Sequence, residues 1–312
     1  MSEQKKHKSS KSIKKRKKII WSIVVAIVVI AVVGAAVGYK VYNDTKSAAN
    51  ATYKKVKSDS AGKTTKDKSK IAENKAFSIL LVGTDAKSGL STSANADAIL
   101  VVTVNPSTGK TTFASLPRYA KVKISGQNTE GQLTTAYNAG GMSTMISTVK
   151  SYLDTPIDYY MEVNVRGLQE LTSLFGSVKV DNDQKFSNMG YTFAQGTVSL
   201  DKSSVLAFAK NSESVDDSQK HQREVLAGLL KEIASVKGAS RYQDILSALS
   251  SNMKTDVTFD EMKLLAKNYG SDSNVQQLQL ESTQKEVSGT QYDVVSQSNL
   301  DTFTTALKDS LK

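Results

Sequence analysis

Apolar positions fall along this chain in two regimes. Residues 19–38 run without one charged side chain, from Ile19-Ile20-Trp21 to Val37-Gly38. At about 1.5 Å per residue a helix of that length spans roughly 30 Å, the thickness of a bilayer's hydrocarbon core. From Phe77 onward the apolar residues come instead in short bursts of strand length or at helical spacing. Phe77–Gly83 reads as a buried strand, and Asp97–Val104 as a second. The turn Asn105-Pro106-Ser107-Thr108-Gly109 predicts a hairpin into a third strand, Lys110–Leu116. Met142, Met145, Ile146, Val149 and Leu153 share one helical face within 134–153. Tyr159–Asn164 alternates as a strand, and Val165–Phe175 reads as a helix closed by Gly176. Val178–Val180 is a short strand, and helices follow over 203–210, 221–236, 241–253 and 258–269. Strand and helix intermixed in this way predict an α/β domain with a central mixed sheet and helices on both faces, preceded by one transmembrane helix.

Charge refines this division. The chain carries a net +11, but residues 1–38 hold nine basic side chains against Glu3, and residues 39–74 hold nine lysines against four acids. Residues 75–312 are left at −2. A basic chain commonly signals nucleic acid; here the positive charge flanks the apolar run, and no nucleic-acid partner is expected. The dense cluster Lys14-Lys15-Arg16-Lys17-Lys18 abuts the run on its N-terminal side, so the tail is expected in the cytoplasm and the bulk of the chain outside the cell. Trp21 and Tyr39 sit near its two ends, as interfacial rings do. A cleaved signal peptide is the alternative, but its apolar core is normally shorter. The expected organisation is a basic cytoplasmic tail (1–18), a transmembrane helix (19–38), a polar linker (39–74) and an extracellular domain (75–312).

The chain has no cysteine and only two histidines, His7 and His221, which excludes disulfides, thiolate metal sites and a catalytic zinc centre. No G-x-S-x-G, P-loop or G-x-G-x-x-G occurs. The polar residues that remain stand at strand ends. Asp85 lies two residues past Gly83, Asp97 opens the second strand, and Arg118 follows Leu116-Pro117. Antiparallel pairing of the first two strands would bring the acids together. Two carboxylates and a guanidinium then describe a Mg²⁺-bridged phosphate site. Strand-end capping with a surface ion pair describes the same residues.

Six segments resemble, in order, the motifs of the LytR–CpsA–Psr family of Gram-positive bacteria. They are Phe77–Lys87, Asn95–Leu100, Ala114–Arg118, Leu133–Gly141, Ile157–Tyr160 and Gly196–Lys210, and the likeness runs to about Leu311. The resemblance implies a membrane-anchored phosphotransferase that moves a glycopolymer from an undecaprenyl-pyrophosphate carrier onto peptidoglycan. It implies an apolar tunnel for the prenyl chain, with Asp85 and Asp97 as ligands of Mg²⁺ (or Mn²⁺) and Arg118 with Asp97 at the reacting pyrophosphate. The further pyrophosphate contacts implied are Lys87, Lys121, Lys210, Lys220, Gln222 and Arg223. The chain departs from the family's pattern where an aspartate after Arg118 becomes Tyr119, and where arginines become Lys87, Asn95, Lys210, Ser212 and Ser218. Lysine neutralises a phosphate without offering a bidentate fork. These departures raise a second expectation: a non-catalytic envelope protein that binds polyprenyl phosphate or glycopolymer and modulates wall assembly. The transcriptional role that family names carry fits poorly with an acidic domain expected outside the cell.

Overall fold

The computed structural model describes residues 46–55 except 48, 69–86, 89–210, 215–235, 244–261 except 246 and 248, 264, and 274–312. The basic tail, the apolar run 19–38, Lys87 and Ser212 lie outside the described residues. Among those described, no helix is long and apolar enough to cross a membrane.

The centre is a six-stranded mixed sheet. Strands β1 (Phe77–Thr84), β2 (Ala96–Asn105) and β3 (Lys110–Ser115) form the antiparallel meander expected from the apolar runs and the Asn105–Gly109 turn. Strand β6 (Tyr159–Asn164) adds in parallel to β1, and β11 (Met253–Thr255) closes that side antiparallel to β6. Strand β12 (Asn274–Gln279) lies parallel to β3 on the opposite edge, giving the order β11-β6-β1-β2-β3-β12. Four two-stranded ribbons surround the sheet: β4 (Lys121–Lys123) with β5 (Glu130–Gln132), β7 (Val178–Asn182) with β10 (Gly196–Leu200), β8 (Phe186–Asn188) with β9 (Tyr191–Phe193), and β13 (Thr283–Val287) with β14 (Thr290–Val294).

Side chains alternate across the sheet and build two cores. On one face Leu80, Val82 and Tyr160 pack against α1 (Thr135–Leu153) and α5 (Gln297–Asp309), through Tyr137, Met145, Val149, Phe303 and Leu307. On the other face Ile79, Val102 and Met161 meet α2 (Val165–Leu174), α3 (Val205–Ala209) and α4 (Val215–Ser235). Helices therefore cover both faces, as the mixed pattern predicts. Helix α4 approaches β7 so closely that a Cβ on Gly228 would stand 2.6 Å from the Lys179 carbonyl oxygen.

The segment read as a polar linker is partly folded onto the domain. Ala49, Thr52 and Ile71 are buried. Tyr53 bridges to Thr255, and the Lys54 amide donates to the Thr255 carbonyl at 2.8 Å. Here three small or apolar residues outweigh the surrounding lysines, because the lysine stems can stay at the surface while their neighbours bury.

Candidate functional site

The pairing of β1 with β2 breaks at one place. Gly83 pairs with Ala98 and Thr84 with Ala96, so Asp97 is the extra residue of a β-bulge. A bulge turns the side chain of its unpaired residue out of the regular alternation. Asp97 thereby faces the end of the sheet, with only 16% of its side chain exposed. Its Oδ1 accepts a hydrogen bond from Arg118 Nη1 at 2.7 Å. Lys210 Nζ stands 2.5 Å from the other oxygen, as an ion pair and not an aligned hydrogen bond. Gln222 on α4 turns its amide to the Asp97 carbonyl at 3.4 Å. Four residues from four segments of the chain therefore converge on one point.

Each is positioned by its own element. Pro117 carries the chain from β3 to Arg118, whose guanidinium carbon lies 4.6 Å from the centre of the Tyr119 ring. That stacking holds the guanidinium over the aromatic face and leaves its fork free to point at Asp97. Lys210 terminates α3. The helix is set by Asp201, which accepts hydrogen bonds from the amides and hydroxyls of Ser203 and Ser204 and is held down at about 2 by them. The Asn188 side chain then donates to the carbonyls of Ala207 and Lys210, at 2.8 and 2.9 Å, and closes the helix end.

Asp85 sits at the same end of the sheet. Its oxygens accept from the backbone and side-chain amides of Asn95 at 2.7 and 3.0 Å, and its own amide donates to the Asn95 carbonyl at 3.1 Å. Asn95, at a position where the resemblance implies arginine, thus shapes the turn that carries Asp85. The loop is strapped further by Asn138, which donates to the carbonyls of Thr92 and Ala94, and by Asn164, which donates to that of Gly89.

Below these groups lies a cavity of about 1020 Å³, counting its open mouth. Its walls are Leu81, Leu100, Met161 and Val163 from the sheet, Leu168 and Leu171 from α2, Leu206 from α3, and Val225, Leu226 and Leu229 from α4. Its mouth is formed by Gly83, Ala98, Asp97, Asn164, Lys210 and Gln222. The glycine and alanine facing each other there leave the opening clear; a Cβ on Gly83 would meet that of Ala98 at 3.1 Å. An apolar slot with charged groups only at its rim suits an amphiphile with a hydrocarbon body and an anionic head.

Other residues named from the sequence are placed elsewhere. Lys121 pairs with Glu130 at 2.6 Å, and Lys220 with Asp183, both at the surface. Arg223 is buried and gives its guanidinium to Ser115 at 2.8 Å and to Gln277 and Gln279 at 3.0 Å each, tying α4 to β3 and β12. Ser218 donates to the Ala209 carbonyl at 3.3 Å and so joins α4 to α3. Asn188 was missed by sequence reasoning, since nothing in a short polar hairpin marks it.

The donor chemistry of Asp85 and Asp97 fits a hard divalent cation. A carboxylate offers about four lone-pair sites, so neither acid is saturated by its partners. Mg²⁺ typically takes one or two carboxylates and fills its remaining positions with phosphate oxygens and water. Among the described residues no group of three or more acidic, histidine or cysteine side chains forms an all-protein metal cage.

A model of the LytR_cpsA_psr family matches residues 37–309. A protein of Enterococcus faecalis (strain ATCC 700802 / V583), named polyisoprenyl-teichoic acid–peptidoglycan teichoic acid transferase TagU, is 35% identical over 299 residues, covering 94% of this chain and 96% of that one. The crystal structure of B. subtilis TagU superposes with a TM-score of 0.62 at 28% identity, over 76% of this chain and 97% of that chain. A structure of TagT bound to LI-WTA superposes with a TM-score of 0.65 at 25% identity, over 77% of this chain and 92% of that chain.

Proposed function

The chain belongs to the LytR–CpsA–Psr family, and from that premise we propose that it transfers a teichoic-acid-like glycopolymer from a polyprenyl-pyrophosphate carrier to peptidoglycan while held in the membrane by residues 19–38. The observation that carries this reading is the set of Asp97, Lys210 and Gln222 at the mouth of an apolar cavity, with Arg118 held beside them by its bond to Asp97. The slot accepts the prenyl chain, which fixes the pyrophosphate at the rim. Arg118 and Lys210 then face its oxygens. They neutralise the charge that builds as the acceptor hydroxyl attacks the glycan-bearing phosphorus and the prenyl phosphate leaves. Asp97 is the positioning group: without its negative charge the two cations would repel each other and swing apart. Walls of leucine and valine keep water from the chain and strengthen these interactions. Mg²⁺, held by Asp85 and Asp97, would supply Lewis-acid stabilisation of the pyrophosphate.

The test is transfer by the full chain in detergent, given a prenyl-pyrophosphate glycan, peptidoglycan oligomers and Mg²⁺. Formation of a phosphodiester-linked product, lost in Arg118→Ala, is the expected result. Binding of the lipid with no product under any condition would establish the non-catalytic reading instead.

A further inference from the structure

Four large apolar side chains are exposed among the described residues, and two of them, Met189 and Tyr191, stand on one hairpin tip. Met189 is the most exposed of the four, at 60%. Asn188 pairs with Tyr191, so Met189 and Gly190 form a two-residue connection, with φ of 49° and 83°. A turn with positive φ at both central positions favours Asn-Gly or Asp-Gly. A side chain such as methionine costs about 1–2 kcal/mol in that conformation. The sequence thus accepts both backbone strain and exposed apolar surface at one residue, where an asparagine would relieve both. Strain of this kind points to a use for the side chain.

The ribbon packs against α3 and α4 and is tied to the rim of the cavity. Phe186 stacks on His221 at 4.6 Å and lies 4.9 Å from Phe193, which meets Phe208 edge-on at 5.2 Å. Asn188, next to the turn, donates to the carbonyl of Lys210, whose ammonium reaches Asp97. Lys185 at the base of the ribbon is exposed. An apolar tip bearing a tyrosine, with a lysine behind it, has the composition that settles at the boundary between headgroups and acyl chains.

We propose that the Met189-Gly190 turn inserts into the surface of the lipid bilayer and holds the cavity mouth against the leaflet from which the prenyl substrate is drawn. The substrate's lipid nature rests on the function proposed above; the turn's geometry does not. Insertion gives the apolar tip a partner and shortens the path by which a water-insoluble chain reaches the slot.

The chain contains no cysteine, so single cysteines label cleanly. The full chain carrying Met189→Cys with an environment-sensitive dye would be reconstituted into phosphatidylglycerol–phosphatidylcholine vesicles. Lipids spin-labelled at a shallow acyl carbon would be the quencher, and Val287→Cys on the β13–β14 turn the control. Insertion to roughly 5–10 Å should quench about half the Met189-site signal or more and spare the Val287 site. Equal and weak quenching at both sites overturns the proposal, as does a signal that responds to peptidoglycan fragments and not to labelled lipid. A second arm keeps failure here distinct from failure of the functional reading. Met189→Asp should lower transfer from bilayer-embedded substrate about tenfold, as weakened interfacial binding requires, while leaving transfer from a short, water-soluble prenyl pyrophosphate unchanged. Equal loss with both substrates counts against membrane insertion, whereas no transfer from either substrate by the unmodified chain counts against the transferase itself.

Discussion

At the scale of single residues, the rim is a cluster of charges whose balance sets its chemistry. Asp97 lies between a guanidinium and an ammonium, and Lys210 is the cation that a phosphate would draw away most easily, since it is held as a point charge. Lys210→Ala should therefore lower kcat/KM for transfer by about 10- to 100-fold, and Lys210→Arg should retain or exceed the native value because a fork binds phosphate better. An unchanged kcat/KM in Lys210→Ala would place Lys210 outside the reacting centre. Another residue-scale effect lies far from the rim. Burial pushes the Asp256 carboxyl up to about 7, with the nearby carboxylates of Glu261 and Asp158 adding to the rise. The folded state thus holds a proton that the unfolded chain releases near its ordinary value of 3.8. Stability should fall as pH rises from about 4 to 7 and level off above. Asp256→Asn keeps the acceptor for the Tyr160 amide and removes the charge. It should flatten that decline and raise Tm at pH 8 by a few degrees, on the order of 1–2 kcal/mol. An unchanged pH profile would show that Asp256 titrates in the ordinary range.

At the scale of elements, what the sequence discloses follows how strongly each segment is buried. The strands at Phe77, Ala96, Lys110 and Tyr159 were legible because β-branched and aromatic residues dominate runs that the sheet covers on both faces. Helix α1 showed its apolar face, and α2 its glycine stop. The ribbons β4–β5, β8–β9 and β13–β14 were not, because strands of three to five mostly exposed residues carry no clear alternation. Strand β12 reads Asn-Val-Gln-Gln-Leu-Gln and becomes a strand only by pairing with β3. In the site, Asp85, Asp97 and Arg118 were found as strand-end polar residues. The bulge that aims Asp97 is a register event between two strands and leaves no mark in either one. Arg223 is a charge near the motif whose side chain joins α4 to the sheet, a use that the sequence does not mark. Two element-scale effects follow. Gly141 interrupts α1 with φ of 66° and ψ of −151°, and a Cβ there would meet Thr92 Cγ2 at 3.1 Å. Gly141→Ala should cost about 1–3 kcal/mol in denaturant unfolding and loosen the loop that carries Asp85. Asn188→Ala removes the amide that closes α3 and should lower the transfer rate with a much smaller loss of Tm, seen as a fall in kcat. Loss of stability equal to the loss of rate would make Asn188 a structural residue alone.

At the scale of the whole molecule, two cores on opposite faces of one sheet do different work. The face covered by α1 and α5 is filled, by Tyr137, Met145, Val149, Phe303 and Leu307 among others. Deep in it Tyr137 donates to the buried Glu162, whose carboxyl burial holds above its ordinary value. The face covered by α2, α3 and α4 leaves the slot open. An interior is normally packed without voids larger than a water molecule, so an open cavity walled by leucine and valine is stability forgone for binding. If that space holds a prenyl chain, affinity must grow with chain length. The decisive measurement is the Kd of the purified full chain for inorganic pyrophosphate and for prenyl pyrophosphates of increasing length, with a Leu226→Trp variant alongside. Each added isoprene unit buries several methylene-sized groups at about 0.8 kcal/mol apiece before ordering costs, so affinity should climb steeply until the slot is full, and Leu226→Trp should flatten the climb. Affinity that is the same for every chain length, and indifferent to Leu226→Trp, would contradict a lipid-binding slot and the transferase built upon it.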